Sequence, residues 1–283
     1  MKNKIIFLAL TLLFSNAYAR PVILVSSTPI ASLVSMITEE AATVQTVNIS
    51  GGCSHHYHAR PSDRNKITNA DMIIYIDDSF DSYMSTLLQN YKGIIVRLSG
   101  IDKLKKINKG NSKSNWHFWL DLDNVLLLQS AMADKIISAF PEIDQIIRSN
   151  LEKSKEKIAE LKSIKQDKLK SLNEIVLLSD SMEYFFQDMN QDMNIKLTKL
   201  YQQPHGSLKY LQNLEAHLTT NVSQCLILDK SRNPQPFKRF NKTLILVDSE
   251  NWQLDKESEN SIQNLFLNKY LELISKVEEC KKH

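Results

Sequence analysis

Long apolar segments are missing from this chain of 283 residues: no stretch reaches the length of about 20 residues that a membrane-spanning helix needs. A strong charge of one sign is missing too, because the formal net charge is only +3. That value argues against the basic surface that nucleic-acid binding requires. The sequence also contains no short-period repeat and no low-complexity segment. We therefore expect a globular chain that neither spans a membrane nor binds nucleic acid.

The N-terminus has the pattern of a secretion signal. Lys2 and Lys4 precede a short apolar core at residues 5–14, and residues 17–19 form an A-x-A cleavage signature. No cysteine follows the signature directly, so we expect no lipid anchor. We expect cleavage after Ala19 and export to the periplasm. Loss of the two lysines leaves a formal charge of about +1 on the mature chain.

Cysteine is scarce, with Cys53, Cys225 and Cys280 as the only three. An exported chain can form disulfides. Cys225 lies in an apolar, strand-like run and Cys280 follows the last amphipathic helix, so a bridge between them would attach that helix to the second half of the chain. Closing such a long loop contributes on the order of 4 kcal/mol in the chain-entropy description. Cys53 is left over, and we do not assign it as a ligand.

Strands and helices alternate along the mature chain. Continuous apolar runs such as 22–26 and 72–76 are typical of buried parallel strands, and 30–37 has the apolar spacing of a helix. After Pro141 one apolar stripe continues for about 28 residues with a face rich in Glu and Lys, as in a rigid connecting helix. The predicted fold is α/β, with two lobes of mainly parallel sheets joined by a single long helix. The predicted boundaries are a signal peptide at 1–19, an N-terminal lobe at 20–140, a connecting helix at 141–168 and a C-terminal lobe at 169–283.

Three histidines, His55, His56 and His58, lie on the loop between a predicted strand at 44–49 and a predicted helix at 62–70. Neutral imidazole is the commonest metal ligand and suits zinc, copper, iron and nickel. Loops at the carboxyl ends of parallel strands are also where open α/β sheets bind ligands. The loop is therefore a candidate metal site, and a solvated polar loop is the alternative.

A fourth histidine, His117, stands between two tryptophans at a predicted junction of loop and helix. Taken alone, a histidine with apolar neighbours reads as a core residue satisfied by hydrogen bonds. Its place at the start of a helix keeps a metal-binding role open.

Four motifs together resemble the metal-binding proteins of ATP-binding-cassette (ABC) importers for zinc or manganese, the zinc-uptake type in particular. They are His-x-Tyr-x-x-Arg-Pro-Ser-Asp at 55–63, Trp-His-x-Trp-Leu at 116–120, Ser-Asp-x-x-x-Tyr-Phe at 179–185, and Asp248 at the end of a strand. The resemblance covers essentially the whole mature chain. The Asn-Ala-Asp run at 69–71 and the spacing of Cys225 and Cys280 also fit the zinc-uptake branch.

The resemblance implies a metal ion held between the two lobes by His55, His117 and the carboxylate of Asp248. His56 and His58 fall where family members usually have no ligand, so they are auxiliary. The position of the usual third ligand falls at Ser179, where zinc-binding members have histidine. Serine is a poor zinc ligand, and the neighbouring Asp180 is the alternative.

Two histidines with one or two carboxylates suit zinc with a bound water, or manganese. The spare imidazoles and the cysteine pattern favour Zn²⁺ over Mn²⁺. The resemblance implies a monomer that captures zinc and delivers it to an ABC permease in the inner membrane. The alternatives are a manganese- or iron-binding protein of the same importer class, and a degenerate metal buffer or adhesin. An exported zinc hydrolase would need three firm ligands and a general base, and the chain has no His-Glu-x-x-His motif, so we expect no enzyme.

Overall fold

The structure is a computed structural model that describes residues 19–47, 57–107, 114–189, 195–201, 208–220, 225–253 and 261–282. Residues 1–18 of the predicted secretion signal, and Cys53, His55 and His56, lie outside these residues. Among the helices of the described segments, none combines the length and the apolar character needed to cross a bilayer.

The first lobe is built on a four-stranded parallel sheet with the strand order β2-β1-β3-β4. Its strands are β1 (Val22–Val25), β2 (Thr43–Thr46), β3 (Met72–Tyr75) and β4 (Ile94–Arg97). Its helices are α1 (Thr28–Thr38), α2 (Pro61–Asn69), α3 (Ser82–Leu87) and α4 (Leu122–Ala139). The order of strands and helices along the chain is the one that the apolar runs predict.

Successive side chains of a strand point to opposite faces, and both faces of this sheet are covered. In β1, Ile23 and Val25 join the core that contains α1 and α4, while Leu24 joins a separate cluster with α2 and α3. All three side chains are fully buried. This explains why the strand is apolar throughout instead of alternating with polar residues.

The two lobes are joined by a 3-10 turn, Pro141–Ile143, and the helix α5, Asp144–Leu169. Proline suits the first turn because the N–H that it lacks would have no partner inside the helix. Most of the apolar stripe that predicts this helix, with Ile147 and Ile158 fully buried, faces the core, whereas Ile146 is exposed.

The second lobe repeats the architecture, with a parallel sheet in the order β6-β5-β7-β8. Its strands are β5 (Glu174–Leu177), β6 (Lys196–Lys199), β7 (Cys225–Asp229) and β8 (Thr243–Val247). Its helices are α6 (Leu208–Thr220), α7 (Gln235–Lys238) and α8 (Ser261–Glu278). The predicted fold class, two parallel-sheet α/β lobes joined by one long helix, is confirmed.

Contacts between α1 and α8 hold the lobes together directly. The backbone N–H of Phe266 donates to Ser32 Oγ at 2.9 Å, and Gln263 Nε2 donates to Glu39 Oε1 at 3.0 Å. One apolar core, with α1, α4, α5 and α8 at its centre, is continuous from the first sheet to the second. The lobes therefore share a core and form one packed unit.

A disulfide joins Cys225, the first residue of β7, to Cys280, which follows α8, with a Cα–Cα distance of 5.5 Å. The predicted pairing is confirmed. It fixes α8 to the sheet at the end where the strands begin. The candidate site lies at the other end, where the strands finish.

Candidate metal-binding site

The carboxyl ends of the two sheets meet across the lobes at a group of residues that we call the interlobe site: 115–119 from the first lobe, and 179–180 and 248–250 from the second. His117 is its central side chain and is only 5% exposed. It stands directly before a 3-10 turn, Phe118–Leu120, which leads into α4. The carboxylate of Asp121 caps α4 by accepting the N–H groups of Asp123 and Asn124.

Asn115 sets the orientation of the His117 ring. Its Oδ1 lies 2.8 Å from His117 Nδ1 and also accepts the backbone N–H of His117 at 3.1 Å. Its Nδ2 donates to the carbonyl of Asp180 at 2.7 Å, which identifies the nitrogen end of the amide. Because Oδ1 is an acceptor, Nδ1 of His117 donates to it, and in the neutral imidazole Nε2 is the nitrogen that can bind a metal ion.

Aromatic side chains enclose the ring of His117. Phe80 meets it edge-on with a centroid distance of 5.6 Å, and Trp119 lies at 5.1 Å. Trp119 also donates from Nε1 to the carbonyl of Ser249 in the second lobe, at 3.1 Å. These contacts leave the ring little freedom to turn, so its Nε2 has a fixed direction.

Glu250 is the acidic residue that the structure brings to His117. Its Oε2 lies 3.5 Å from His117 Nε2, and the two side chains are 8% and 7% exposed. Glu250 follows β8 by three residues, so this pair spans the two lobes. The sequence motifs do not indicate Glu250, although it lies just beyond the end of a strand, as Asp248 does.

Asp248 is part of the turn that follows β8. Its Oδ1 accepts the N–H of Asn251 at 2.8 Å, and its carbonyl accepts from Trp252 Nε1 at 3.0 Å. Burial raises the pKa of Asp248, against the opposing effect of the backbone hydrogen bonds. The residue also lines a surface depression between β8 and α8, beside Lys230 and Asn268.

Ser179, at the position of the usual third ligand, is buried and engaged inside the second lobe. Its Oγ accepts the N–H of Asp229 at 2.9 Å. Asp229 Oδ2 in turn accepts both the N–H and the hydroxyl of Ser249, at 3.0 and 2.5 Å. Ser179 therefore helps to position the turn that carries Glu250. The backbone carbonyl of the neighbouring Asp180 accepts a hydrogen bond from Asn115 Nδ2, and Asp180 is half-buried.

A second acidic residue of the 179–185 motif, Glu183, points elsewhere. Its carboxylate contacts Lys199 and the hydroxyl of Tyr201, both at the carboxyl end of β6. Burial, followed by the hydrogen bond to Glu183, raises the pKa of Tyr201. Glu183 thus holds the segment after β5 against β6.

The residues after the histidine loop show what the rest of the 55–63 motif does. Asp63 Oδ2 accepts the hydroxyl of Tyr57 at 2.8 Å and the N–H of Arg60 at 2.7 Å. Tyr57 also meets Tyr83 edge-on at 4.8 Å. Tyr83 and Phe80 belong to the same short segment. Tyr57, which follows the histidine loop, and the ring of His117 therefore pack against neighbouring residues. His58 is exposed.

Across the described parts of the chain, no three or more His, Cys, Asp or Glu side chains form a group that could hold a metal ion. His117 and Glu250 are brought together, whereas Asp180 and Asp248 do not complete a group with them. Any larger set must therefore draw on residues beyond those described, among which is His55.

Comparison with known proteins agrees with this architecture. Residues 23–277 match the family described as ZnuA, zinc-uptake complex component A, periplasmic. The uncharacterized protein RP014 of Rickettsia prowazekii is 35% identical over 277 residues, which is 97% of this chain and 87% of that protein. The manganese ABC transporter substrate-binding lipoprotein PsaA of Streptococcus mitis is 19% identical over 222 residues, 74% of this chain and 72% of its own length. The manganese-bound periplasmic metal-binding protein of Candidatus Liberibacter asiaticus has a TM-score of 0.76 at 18% identity, over 92% of this chain and 98% of that one.

Two parallel-sheet lobes on one long helix, with a candidate site between them, define a solute-binding protein of the ABC-importer class. The chain belongs to the family of periplasmic zinc-uptake complex component A proteins, because the match covers nearly all of it. The resemblance drawn from the sequence motifs is thus confirmed. As a member of this family, the chain is a solute-binding protein and not an enzyme. Its relative PsaA is likewise described as a substrate-binding protein.

Proposed function

We propose that this protein is exported to the periplasm, captures a divalent transition-metal ion, most readily zinc, and delivers it to an ABC permease in the inner membrane. The observation that carries the proposal is His117: a buried imidazole between the lobes whose Nδ1 lies 2.8 Å from the Oδ1 of Asn115. The signal peptide at residues 1–19 and a monomeric state belong to the same proposal.

The ligand set proposed from the family is His55 and His117 with the carboxylate of Asp248. The anchored position of Tyr57, two residues after His55, supports this set because Tyr57 packs on the segment that also supports His117. The exposed side chain of His58 agrees with an auxiliary role.

Manganese is the second candidate. Ser179 offers no imidazole at the third position, and the carboxylate of Glu250 lies 3.5 Å from His117 Nε2. Carboxylate oxygen suits manganese, and imidazole suits zinc. The description of the family as zinc-uptake proteins and the extra histidines of the loop favour zinc.

The test is a competition titration of the exported, oxidised and metal-free protein with zinc against manganese. We expect one tightly bound zinc ion per chain that manganese does not displace. Preferential binding of manganese would support a manganese-binding function instead. Binding of neither ion would contradict the proposal and favour a degenerate metal buffer or adhesin.

The same titration on variants tests the ligands. We expect His117→Ala and His55→Ala to lower zinc affinity by about 100-fold or more, because each removes a direct ligand. His58→Ala is the matched control, since it removes an exposed imidazole from the same motif, and its affinity should stay within about threefold of the wild type. Equal losses in all three variants would contradict the assignment.

A further inference from the structure

We propose that Tyr184, a residue of the second lobe, is a positioning residue for His117 and acts on it through Asn115. The inference rests on the proposed function, because it concerns how the protein orients one of the proposed ligands. It assigns no new ligand. It states that the direction of a ring carried by the first lobe is set by a hydroxyl group of the second lobe.

Asn115 is the residue through which His117 is oriented. A single atom, Asn115 Oδ1, contacts both the ring and the backbone of His117: it lies 2.8 Å from Nδ1 and accepts the backbone N–H at 3.1 Å. A rotation of the amide group would break both contacts, because hydrogen bonds weaken steeply with distance and angle. The direction of the ring therefore depends on the position of Asn115.

Asn115 is in turn held by the second lobe, both at its side chain and at its backbone. Its Nδ2 donates to the carbonyl of Asp180 at 2.7 Å, and its own carbonyl accepts the hydroxyl of Tyr184 at 3.0 Å. Asp180 directly precedes the 3-10 helix Ser181–Phe186, and Tyr184 lies within that helix. One short segment of the second lobe thus fixes the residue that orients His117.

The hydroxyl group of Tyr184 has a second partner in the first lobe. Its oxygen accepts the backbone N–H of Ile107 at 2.8 Å. Ile107 and Asn115 form an antiparallel bridge, in which the N–H of Asn115 donates to the carbonyl of Ile107 at 3.3 Å. A single hydroxyl group therefore joins both sides of the bridge, and it uses its one donor and one acceptor position to do so.

Tyr184 is itself held firmly within the second lobe. Its side chain is fully buried, and the carboxylate of the preceding Glu183 accepts the hydroxyl of Tyr201. The following Phe185 stacks on Tyr270 of α8 with a centroid distance of 5.4 Å. Because these neighbours fix the backbone on both sides, removal of the hydroxyl group alone should leave the ring of residue 184 in place.

The experiment removes this hydroxyl group with Tyr184→Phe, which leaves the N–H of Ile107 and the carbonyl of Asn115 without that partner. The matched control is Tyr91→Phe. It also removes a hydroxyl that donates to a backbone carbonyl, that of Ala70 at 3.0 Å, but at the end of the first sheet where the strands begin. A third variant, Asn115→Ala, removes the proposed intermediary.

Two quantities are measured on the exported and oxidised protein. The first is the pair of ring-nitrogen NMR resonances of His117 in the metal-free state at one fixed pH, which are assigned by their absence from His117→Gln. These resonances report which ring nitrogen carries the hydrogen and the bond that it makes. The second is the affinity for zinc, from titration with zinc chloride.

We expect Tyr184→Phe to shift the ring-nitrogen resonances of His117 and to lower zinc affinity by about 10-fold, as loss of an outer partner of a metal-binding histidine does. Tyr91→Phe should leave the resonances unchanged and the affinity within about threefold of the wild type. In the Asn115→Ala background, Tyr184→Phe should produce no further shift, because the two residues act in series.

Two results would overturn the proposal. If Tyr184→Phe is less stable than the wild type but keeps its His117 resonances, the tyrosine serves the fold alone. If Tyr184→Phe shifts these resonances equally with and without Asn115, the two residues act independently.

A further measurement needs only the wild-type protein. In a crystal structure of the zinc-loaded protein, we expect the bonds from Tyr184 to Asn115 and from Asn115 to His117 Nδ1 to remain, with His117 Nε2 about 2.1 Å from the ion. A zinc-bound His117 whose Nδ1 bonds to another acceptor overturns the inference and leaves the proposed function intact. A wild type that binds no zinc contradicts the proposed function, while the resonances of the metal-free variants still decide whether Tyr184 orients His117.

Discussion

Several polar side chains are buried at the carboxyl end of the first sheet, and Asp81 is the clearest case. The residue is fully buried, and its Oδ2 accepts Ser26 Oγ at 2.9 Å and the N–H of Ile76 at 2.7 Å. Burial raises the pKa of Asp81 to about 7, although both hydrogen bonds oppose the shift. At the residue scale, this carboxyl group therefore links proton binding to folding.

Replacement of Asp81 by Asn should flatten the dependence of stability on pH. Between pH 4 and pH 7 the native carboxyl group holds a proton that the unfolded chain has released, so the free energy of unfolding falls as pH rises. The slope from one such group is up to about 1.4 kcal/mol per pH unit, and asparagine cannot contribute it. Urea unfolding of the metal-free protein at several pH values measures the slope.

The control for this prediction is Asp102→Asn, which removes an exposed carboxylate from the same lobe. It should leave the slope as in the wild type. An Asp81→Asn variant with the wild-type slope would show that Asp81 is ionised throughout the window.

At the scale of elements, α5 does more than separate the lobes, because it carries a buried lysine into the region below the interlobe site. Lys165 is fully buried, contacts Asp188 and the carbonyl of Phe185, and lies 3.0 Å from Tyr270 Oη on α8. Tyr270 donates to the carbonyl of Leu120 at 2.6 Å. The connecting helix, the segment after β5, α8 and the turn after His117 are thus joined by one polar network.

Lys165→Met should destabilise the protein by about 3–5 kcal/mol, because it leaves the buried carboxylate of Asp188 without its cation. The double variant Lys165→Met with Asp188→Asn should recover part of this loss, since asparagine still offers an acceptor to the N–H of Leu122. Denaturant unfolding of the three proteins measures both effects. A single variant as stable as the wild type would show that the ion pair contributes nothing.

The segment after β5 is another element whose form depends on its contacts. It is a 3-10 helix at Ser181–Phe186. The side chains that give the segment its helical pattern are used on several sides at once: Tyr184 reaches the carbonyl of Asn115 in the first lobe, and Glu183 reaches β6. Contacts in different directions favour the tighter turn over a regular helix with one buried face.

At the scale of the whole molecule, the two lobes share one apolar core, and the disulfide lies far from the site. Cys225 begins β7, whereas the site residues follow the ends of strands. The disulfide and the candidate site therefore lie at opposite ends of the strands of the second sheet. Stability and metal affinity should respond to different substitutions.

Replacement of both Cys225 and Cys280 by serine should lower the free energy of unfolding by about 4 kcal/mol, because the bridge closes a loop across 55 residues of sequence. Zinc affinity should stay within about threefold of the wild type. Unfolding and titration with and without a reductant measure the two effects. The reductant should destabilise the wild type and leave the double variant unchanged, and a loss of zinc binding in the folded double variant would contradict the separation.

Much of this protein can be predicted from local sequence. Apolar runs and their spacing indicate the order of strands and helices, because each element has its own period and must bury a face. The long stripe after Pro141 indicates the connecting helix. The export pattern permits a disulfide, and the elements that carry Cys225 and Cys280 suggest the pairing. The apolar neighbours of His117 alone indicate a core residue, and the resemblance of its motif to the metal-binding family is what makes it a candidate site residue.

Other features depend on contacts between residues far apart in the chain. Glu250 meets His117 only because the turn after β8 is held by Asp229 and Ser179, and no local pattern shows which acidic side chain of a turn faces the other lobe. The pairing of Lys165 with Asp188 likewise depends on how α5 packs against the second lobe. Local sequence determines which elements form, whereas packing between lobes determines the direction of the side chains at their ends.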